Sequence, residues 1–209
     1  LPYLDLAAFG APDLCESFRD EEEPCAGARV TFNLGAGGRA FTFYGQTLTQ
    51  ITLSEDGLLL GEEADEVGLD LHRWLPETAP PGLLLAGLWR DVDFTPGGRW
   101  HAGVVSGLLS GHDLFYAQWH DAPHAADPDA TARHAVAIVL DGVGGLNGHA
   151  FYRYDNVAHP AQTAALGYAI GVEDRLGARG ATYAYAGPEH PPRGAPPPAG
   201  TTLHLRPVL

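Results

Sequence analysis

Apolar positions alternate with polar or hydroxyl ones through much of this chain, most clearly over residues 48–53, where Leu48, Ile51 and Leu53 are interleaved with Thr49, Gln50 and Thr52. A period of two sends one set of side chains to a buried sheet face and the other toward water. Asp56-Gly57 follows, a pair suited to the positive φ angles of a tight turn, and residues 58–60 start the return strand. The pattern predicts a β-hairpin over residues 41–61.

The rest of the chain repeats this pattern. Residues 30–34 read as a short strand ended by Gly35, Gly37 and Gly38. Residues 62–82 turn acidic and then Pro-rich (Pro76, Pro80, Pro81), which predicts a long connection with room for one helical turn, anchored by Leu69, Leu71, Trp74 and Leu75. Residues 83–89 form a continuous apolar run, as in a strand buried on both faces. Further strands are expected at 100–105, 114–119, 134–140, 149–154, 165–172, 181–186 and 201–205. Pro123 and Pro128 mark a loop over 120–132, and a Gly-rich hairpin spans 141–148. Residues 187–200 contain six prolines and read as extended, polyproline-like chain. About ten short strands and no long amphipathic helix predict an all-β fold, an antiparallel β-sandwich, jelly-roll-like, with long Pro/Gly-rich loops. The expected organisation is an N-terminal arm and acidic loop (1–29), the sandwich (30–186), and a Pro-rich segment with a closing strand (187–209).

The arm is apolar, with Leu1, Tyr3, Leu4, Leu6 and Phe9 against the single charge of Asp5. Two readings stand open: a first strand tucked into the chain's own sheet, or an extended arm that pairs with a neighbouring subunit's sheet edge. Cys15 and Cys25 follow closely enough to close a short loop, and their pairing fits an oxidising compartment. Loop-closure entropy then contributes roughly 2–3 kcal/mol.

Charge narrows the functions. The chain has 209 residues, 26 acidic against 12 basic, for a formal net charge of −14, a field that repels nucleic acid and anionic membranes. Every basic residue is Arg, so neither a Schiff-base lysine nor a P-loop lysine is available. No apolar run reaches the length of a membrane span. Ser17, Ser54, Ser106 and Ser110 lie in no G-x-S-x-G elbow, and the glycines of 142–148 are not followed by the helix that a dinucleotide fingerprint requires. The opening Leu1-Pro2-Tyr3 leads us to expect a processed N-terminus and a secreted or cell-surface protein.

Several landmarks recur in a family-like order: Phe41-x-Phe43-Tyr44-Gly45, the turn at Asp56-Gly57, Leu85 to Asp93 (LAGLWRDVD), Phe115 to Trp119 (FYAQW), Val136 to Gly142 (VAIVLDG) and Phe151 to Val157 (FYRYDNV). Across residues 30–186 the chain resembles the extracellular nidogen-type (NIDO) domain and its bacterial relatives. Thr42 stands where that family has Pro, and Asp56 where it has Asn. The resemblance implies an extracellular, non-catalytic module of adhesion or matrix proteins.

Candidate sites remain. Asp91 and Asp93 share one face of an extended chain and are placed to bind Ca²⁺ or to cap a strand end. Five acids of the Cys15–Cys25 loop (Glu16, Asp20, Glu21, Glu22, Glu23) are also hard oxygen donors, without the alternating spacing of a Ca²⁺ loop. His120 and His124, amid the His and Asp residues of 112–134, suit Zn²⁺. Trp74, Trp89, Trp100, Trp119, Tyr152 and Tyr154 fit either a sugar-stacking platform or a core. The expected function is a secreted, non-catalytic structural or adhesive protein that self-associates into a layer or filament through its terminal segment and requires no cofactor. A carbohydrate-binding module and a metal-binding protein or metal-dependent hydrolase are the alternatives, with an extracellular protein or a glycan as the other partner classes.

Overall fold

The computed structural model describes all residues except 19–24, 26, 62–72, 78–82, 110, 142–144, 159 and 207–209. The acidic-loop Ca²⁺ reading at Asp20 to Glu23, most of the 62–82 connection and the tip of the Gly-rich hairpin lie outside the described residues.

Thirteen strands are described: β1 (Arg29–Asn33), β2 (Phe41–Phe43), β3 (Gln46–Leu48), β4 (Gln50–Ser54), β5 (Leu58–Leu60), β6 (Leu84–Trp89), β7 (Arg99–Leu109), β8 (His112–His124), β9 (Asp127–Val139), β10 (Ala150–Val157), β11 (Tyr168–Glu173), β12 (Gly180–Ala186) and β13 (Thr202–Leu205). A six-stranded sheet runs β1-β4-β5-β6-β11-β12, a five-stranded sheet β13-β10-β9-β8-β7, and β2-β3 form a separate hairpin. All pairings are antiparallel, and the two large sheets pack face to face as a sandwich. Cys15 and Cys25 are joined as a disulfide, with Cys15 in a 3-10 turn over Leu14–Phe18.

The core between the sheets holds Trp100, Phe115 and Trp119 from the five-stranded sheet against Ile51, Leu85 and Ile170 from the six-stranded one. Apolar burial at about 25 cal/mol per Å² makes this layer the main driving force for folding. Two phenols tie the sheets: the Tyr152 hydroxyl donates to the Gly171 carbonyl at 2.8 Å, and the Tyr154 hydroxyl donates to the Gly87 carbonyl. At Gly87 the sheets come so close that an added Cβ would lie 2.4 Å from a Val136 methyl.

The structure departs from the expected two-faced alternation. From Ile51 to Leu60 every residue is buried, and β6 is buried on both faces. Both sheets carry a second cover. Trp74 and Leu75 pack on the outer face of the six-stranded sheet against Leu58, Leu60 and Trp89. The N-terminal residues cover the outer face of the five-stranded sheet, where Leu6 meets a cluster with Leu114, Tyr116 and Ala137. The 120–132 loop is also a correction: β8 and β9 run through Pro123 and Pro128. Proline fits here because the ladder slips at Ala122, with Asp121 at φ 51°, so the missing N–H groups fall at a bulge. The strand expected from residue 165 starts instead as the last turn of a helix, α1 (Pro160–Leu166).

Arg90, immediately after β6, is fully buried. Its Nη1 donates to the Ala130 carbonyl at 2.8 Å and its Nη2 to the Ala122 carbonyl at 2.5 Å, so a residue of one sheet grips the far hairpin of the other. Its backbone N–H donates to the Asp56 carbonyl at 3.1 Å, and Asp56 Oδ1 accepts from Val92 N at 3.0 Å. Burial lowers the guanidinium pKa to about 10, against the pull of the Asp56 carboxylate, so it stays charged at neutral pH.

Arg90→Ala leaves two carbonyls and a carboxylate without their cation and is expected to cost about 3–5 kcal/mol in urea denaturation. Arg90→Lys, a point charge unable to span both carbonyls, is expected to fall between the two. An Arg90→Ala protein as stable as the parent contradicts this account.

Candidate functional site

Of the donors expected to hold a metal, Asp91, Asp93 and His124 are placed close together along the backbone, and the side chains of Asp93 and His124 are engaged separately. Val92, between Asp91 and Asp93, forms a β-bridge with His124, and Asp93 N donates to the Pro123 carbonyl at 3.3 Å. Asp93 Oδ1 accepts from Thr95 N at 2.7 Å, closing a turn. His124 Nδ1 accepts from Ala126 N at 3.0 Å. His120 lies away from both, its Nδ1 3.2 Å from the Tyr3 hydroxyl, and its pKa is lowered by burial and then by Arg133. Among the described residues no three His, Cys, Asp or Glu side chains converge on a point where an ion would sit. Of the aromatics that suggested a sugar platform, Trp89, Trp100, Trp119, Tyr152 and Tyr154 are buried, and Trp74 is half-buried against Tyr185 and His190.

Four of the five apolar residues of the arm lie on the chain's own sheet. Leu4 N donates to the Tyr116 hydroxyl at 3.1 Å and Leu6 N to Gln118 Oε1 at 2.7 Å, while Leu1 and Tyr3 join the cluster around Leu6. The segment bends in a 3-10 turn, Leu6–Phe9, capped by the Asp5 carboxylate on Ala7 N and by left-handed Gly10. Asp5 and Gly10, with a four-residue apolar run between them, were the available sequence signal for this turn. Phe9 points outward, 76% exposed.

That turn forms one wall of a groove of about 580 Å³. The other wall is β7 from Gly103 to Leu108. β7 is the last strand of its sheet, and two contacts fix which of its backbone groups face outward. Trp100 N donates to the Asp13 carboxylate at 3.2 Å, away from β8. At the other end, the Asp113 carbonyl is taken by Leu140 N, so Asp113 and its partner Ser106 do not bond each other. By alternation, Trp100, Ala102, Val104 and Ser106 turn their N–H and C=O to the edge. Asp13 caps the first of these and Ala102 is buried, while no backbone partner meets exposed Val104 and Ser106 among the described residues.

This edge lacks the usual protections. Residues 102–109, Ala-Gly-Val-Val-Ser-Gly-Leu-Leu, contain no charge and no proline, and Val104 is 44% exposed. The groove is lined by apolar side chains, glycines and Ser106, with no acid or base. It is fitted to take an extended apolar backbone and has no group to move a proton. Sequence reasoning missed it, although the neutral, β-branched Gly-Val-Val-Ser-Gly run was visible.

The strongly perturbed ionisable groups lie elsewhere, in the interior. Glu55 is buried beside Asp56, and desolvation followed by that neighbouring charge pushes its pKa up to about 9. His134 stacks on Trp119 with ring centroids 4.9 Å apart, and neither ring nitrogen has a partner among the described residues. Burial, then Arg90, holds its pKa well below the ordinary histidine range. Arg73 pairs with buried Glu173 at 2.7 Å under the outer cover. These groups are held within the packed structure and do not open onto the groove.

Compared with known protein families, curated proteins and solved structures, the chain matches none of them.

Glu55 and His134 set opposite limits on stability. The folded state keeps a proton on Glu55 that the unfolded chain releases above about pH 4.5, so this contribution is lost as pH rises toward 9. Below about pH 6.5 the unfolded chain gains a proton that buried His134 refuses, so stability falls as pH drops. Glu55→Gln is expected to raise the melting temperature at pH 8.5 and leave it unchanged at pH 4, flattening a slope of at most about 1.4 kcal/mol per pH unit. Equal shifts at both pH values contradict a neutral Glu55.

Proposed function

We propose that this chain is a non-catalytic structural or adhesive β-sandwich of an oxidising, extracellular setting, and that it works by contact and self-association. The unprotected β7 edge beside its apolar groove carries this reading. An exposed row of backbone donors and acceptors is a template for strand addition, and the flanking groove supplies apolar area to hold what pairs there. Leu1, Tyr3, Leu4 and Leu6, four of the five residues first expected to associate, lie on their own sheet, and the contact proposed instead is β7, with Phe9 at its rim. The Cys15–Cys25 disulfide is compatible with secretion, and the resemblance to nidogen-type domains accords with a role in matrix or surface contact. No helix among the described residues is long and apolar enough to cross a membrane.

Light scattering on the purified protein is expected to show mass above the 22.1 kDa monomer, rising with concentration. A single 22.1 kDa species at every concentration overturns the reading.

A further inference from the structure

We propose that residues 1–11 are a strap that lifts from the five-stranded sheet without unfolding it, and that the Tyr3–His120 hydrogen bond is its latch. Its effect on association rests on the β7 contact proposed above; the latch itself does not.

The strap is attached differently from the strands beneath it. Its backbone–backbone hydrogen bonds are internal, from Ala8 N to the Asp5 carbonyl, from Gly10 N to Ala7 and from Ala11 N to Leu6. Among the described residues, every hydrogen bond between the strap and the sandwich passes through a side chain. The fixed point comes just afterwards, where His101 Nδ1 donates to the Pro12 carbonyl at 2.7 Å and Asp13 caps Trp100 N. Left-handed Gly10 stands before it as the hinge. A segment without ladder bonds opens at a fraction of the free energy that separates paired strands.

The direction of each bond in the latch is fixed by the one before it. Leu6 N donates to Gln118 Oε1 at 2.7 Å, which leaves Gln118 Nε2 as the donor to the Tyr3 hydroxyl at 3.3 Å. Burial raises the Tyr3 pKa, so the phenol keeps its proton and donates it to His120 Nδ1 at 3.2 Å. Gln118 Nε2 lies 3.4 Å from the same nitrogen, so two donors face Nδ1 and it has to accept. The neutral ring therefore carries its proton on Nε2, 3.6 Å from Asp121 Oδ2. A second proton, on Nδ1, sets an N–H against the Tyr3 O–H and opposes the latch. His120 is also faced by Asp5 of the strap, Arg99 of β7 and Arg133 of β9, and burial followed by Arg133 outweighs Asp121 in lowering its pKa. The latch is thus whole above about pH 6.5 and weakens as pH falls below that value.

Leu4, Leu6 and Phe9 of the strap are one wall of the groove, so lifting the strap removes the apolar surface that flanks the β7 edge. The latch then governs whether Val104 and Ser106 have a groove beside them.

Amide hydrogen exchange on the intact protein reads the strap at Leu4 and Leu6, whose N–H groups both bond to β8 side chains. At pH 7.5, Tyr3→Phe is expected to speed both amides about two- to tenfold, the worth of one hydrogen bond, and to leave Val136 and Ile138 of β9 unchanged. Taking the parent to pH 5.5 is expected to speed the same two amides once intrinsic exchange rates are divided out. His120→Asn, which keeps an acceptor but does not titrate, is expected to abolish that pH response. Leu4 and Leu6 exchanging only as fast as the β9 amides contradict independent opening, and exchange indifferent to both Tyr3→Phe and pH overturns the latch. In light scattering, Tyr3→Phe is expected to lower the associated mass. Mass that ignores Tyr3→Phe while exchange speeds up overturns the link to β7 and leaves the latch standing. A parent protein that is monomeric at every concentration overturns the β7 contact, and the latch is then decided by exchange alone.

Discussion

A guanidinium shut away from water is held in this sandwich only because the opposite sheet has carbonyls to give it. Leaving the charge of Arg90 unpaired in such a place would cost several kcal/mol. The Ala122 and Ala130 carbonyls are free for it because the β8–β9 ladder slips beside Pro123, and the planar fork reaches both at once. Asp56 supplies the opposing charge, so the Asp56–Gly57 turn has to be interior as well. Gly57, at φ 90°, sits where an added Cβ would lie 2.2 Å from the Leu88 carbonyl oxygen, and no other residue fits. The turn, the end of β6 and the β8–β9 hairpin are therefore one unit, and the register of both sheets follows from it.

The all-β class, most strands and the disulfide were legible because each is written locally. Alternation, turn dipeptides and cysteine spacing need no knowledge of the rest of the chain. What failed was burial. Thr52 read as solvent-facing, yet it is buried, because distant segments roof over both sheets. The prolines misled for a related reason. Pro123 and Pro128 argue against a strand unless the ladder is irregular, and that irregularity exists to serve Arg90, far away in sequence.

Candidate sites were less legible than the fold. Asp91, Asp93 and His124 do approach one another along the backbone, so their clustering in sequence reflected real proximity. The side chains of Asp93 and His124, however, close turns, which is the commoner employment of Asp and His at strand ends. The β7 edge was hidden for the opposite reason. Nothing in Gly-Val-Val-Ser-Gly says whether its strand lies inside a sheet or at its border, since strand order is decided by what pairs with what.

Charge is distributed in a way that joins these observations. Two interior arginines are matched to interior acids, Arg90 to Asp56 and Arg73 to Glu173. The surface carries the net negative charge and resists close approach by other copies except along the neutral border strand. An unprotected edge is ordinarily a hazard, because any strand can add to it without limit. Here Asp13 occupies its first position, Ala102 is buried at the second and the slip at Gly107 ends the last, leaving only Val104 and Ser106 open. A short, uncharged edge within a repelling surface limits association by length and by charge together, which is what separates a specific contact from aggregation.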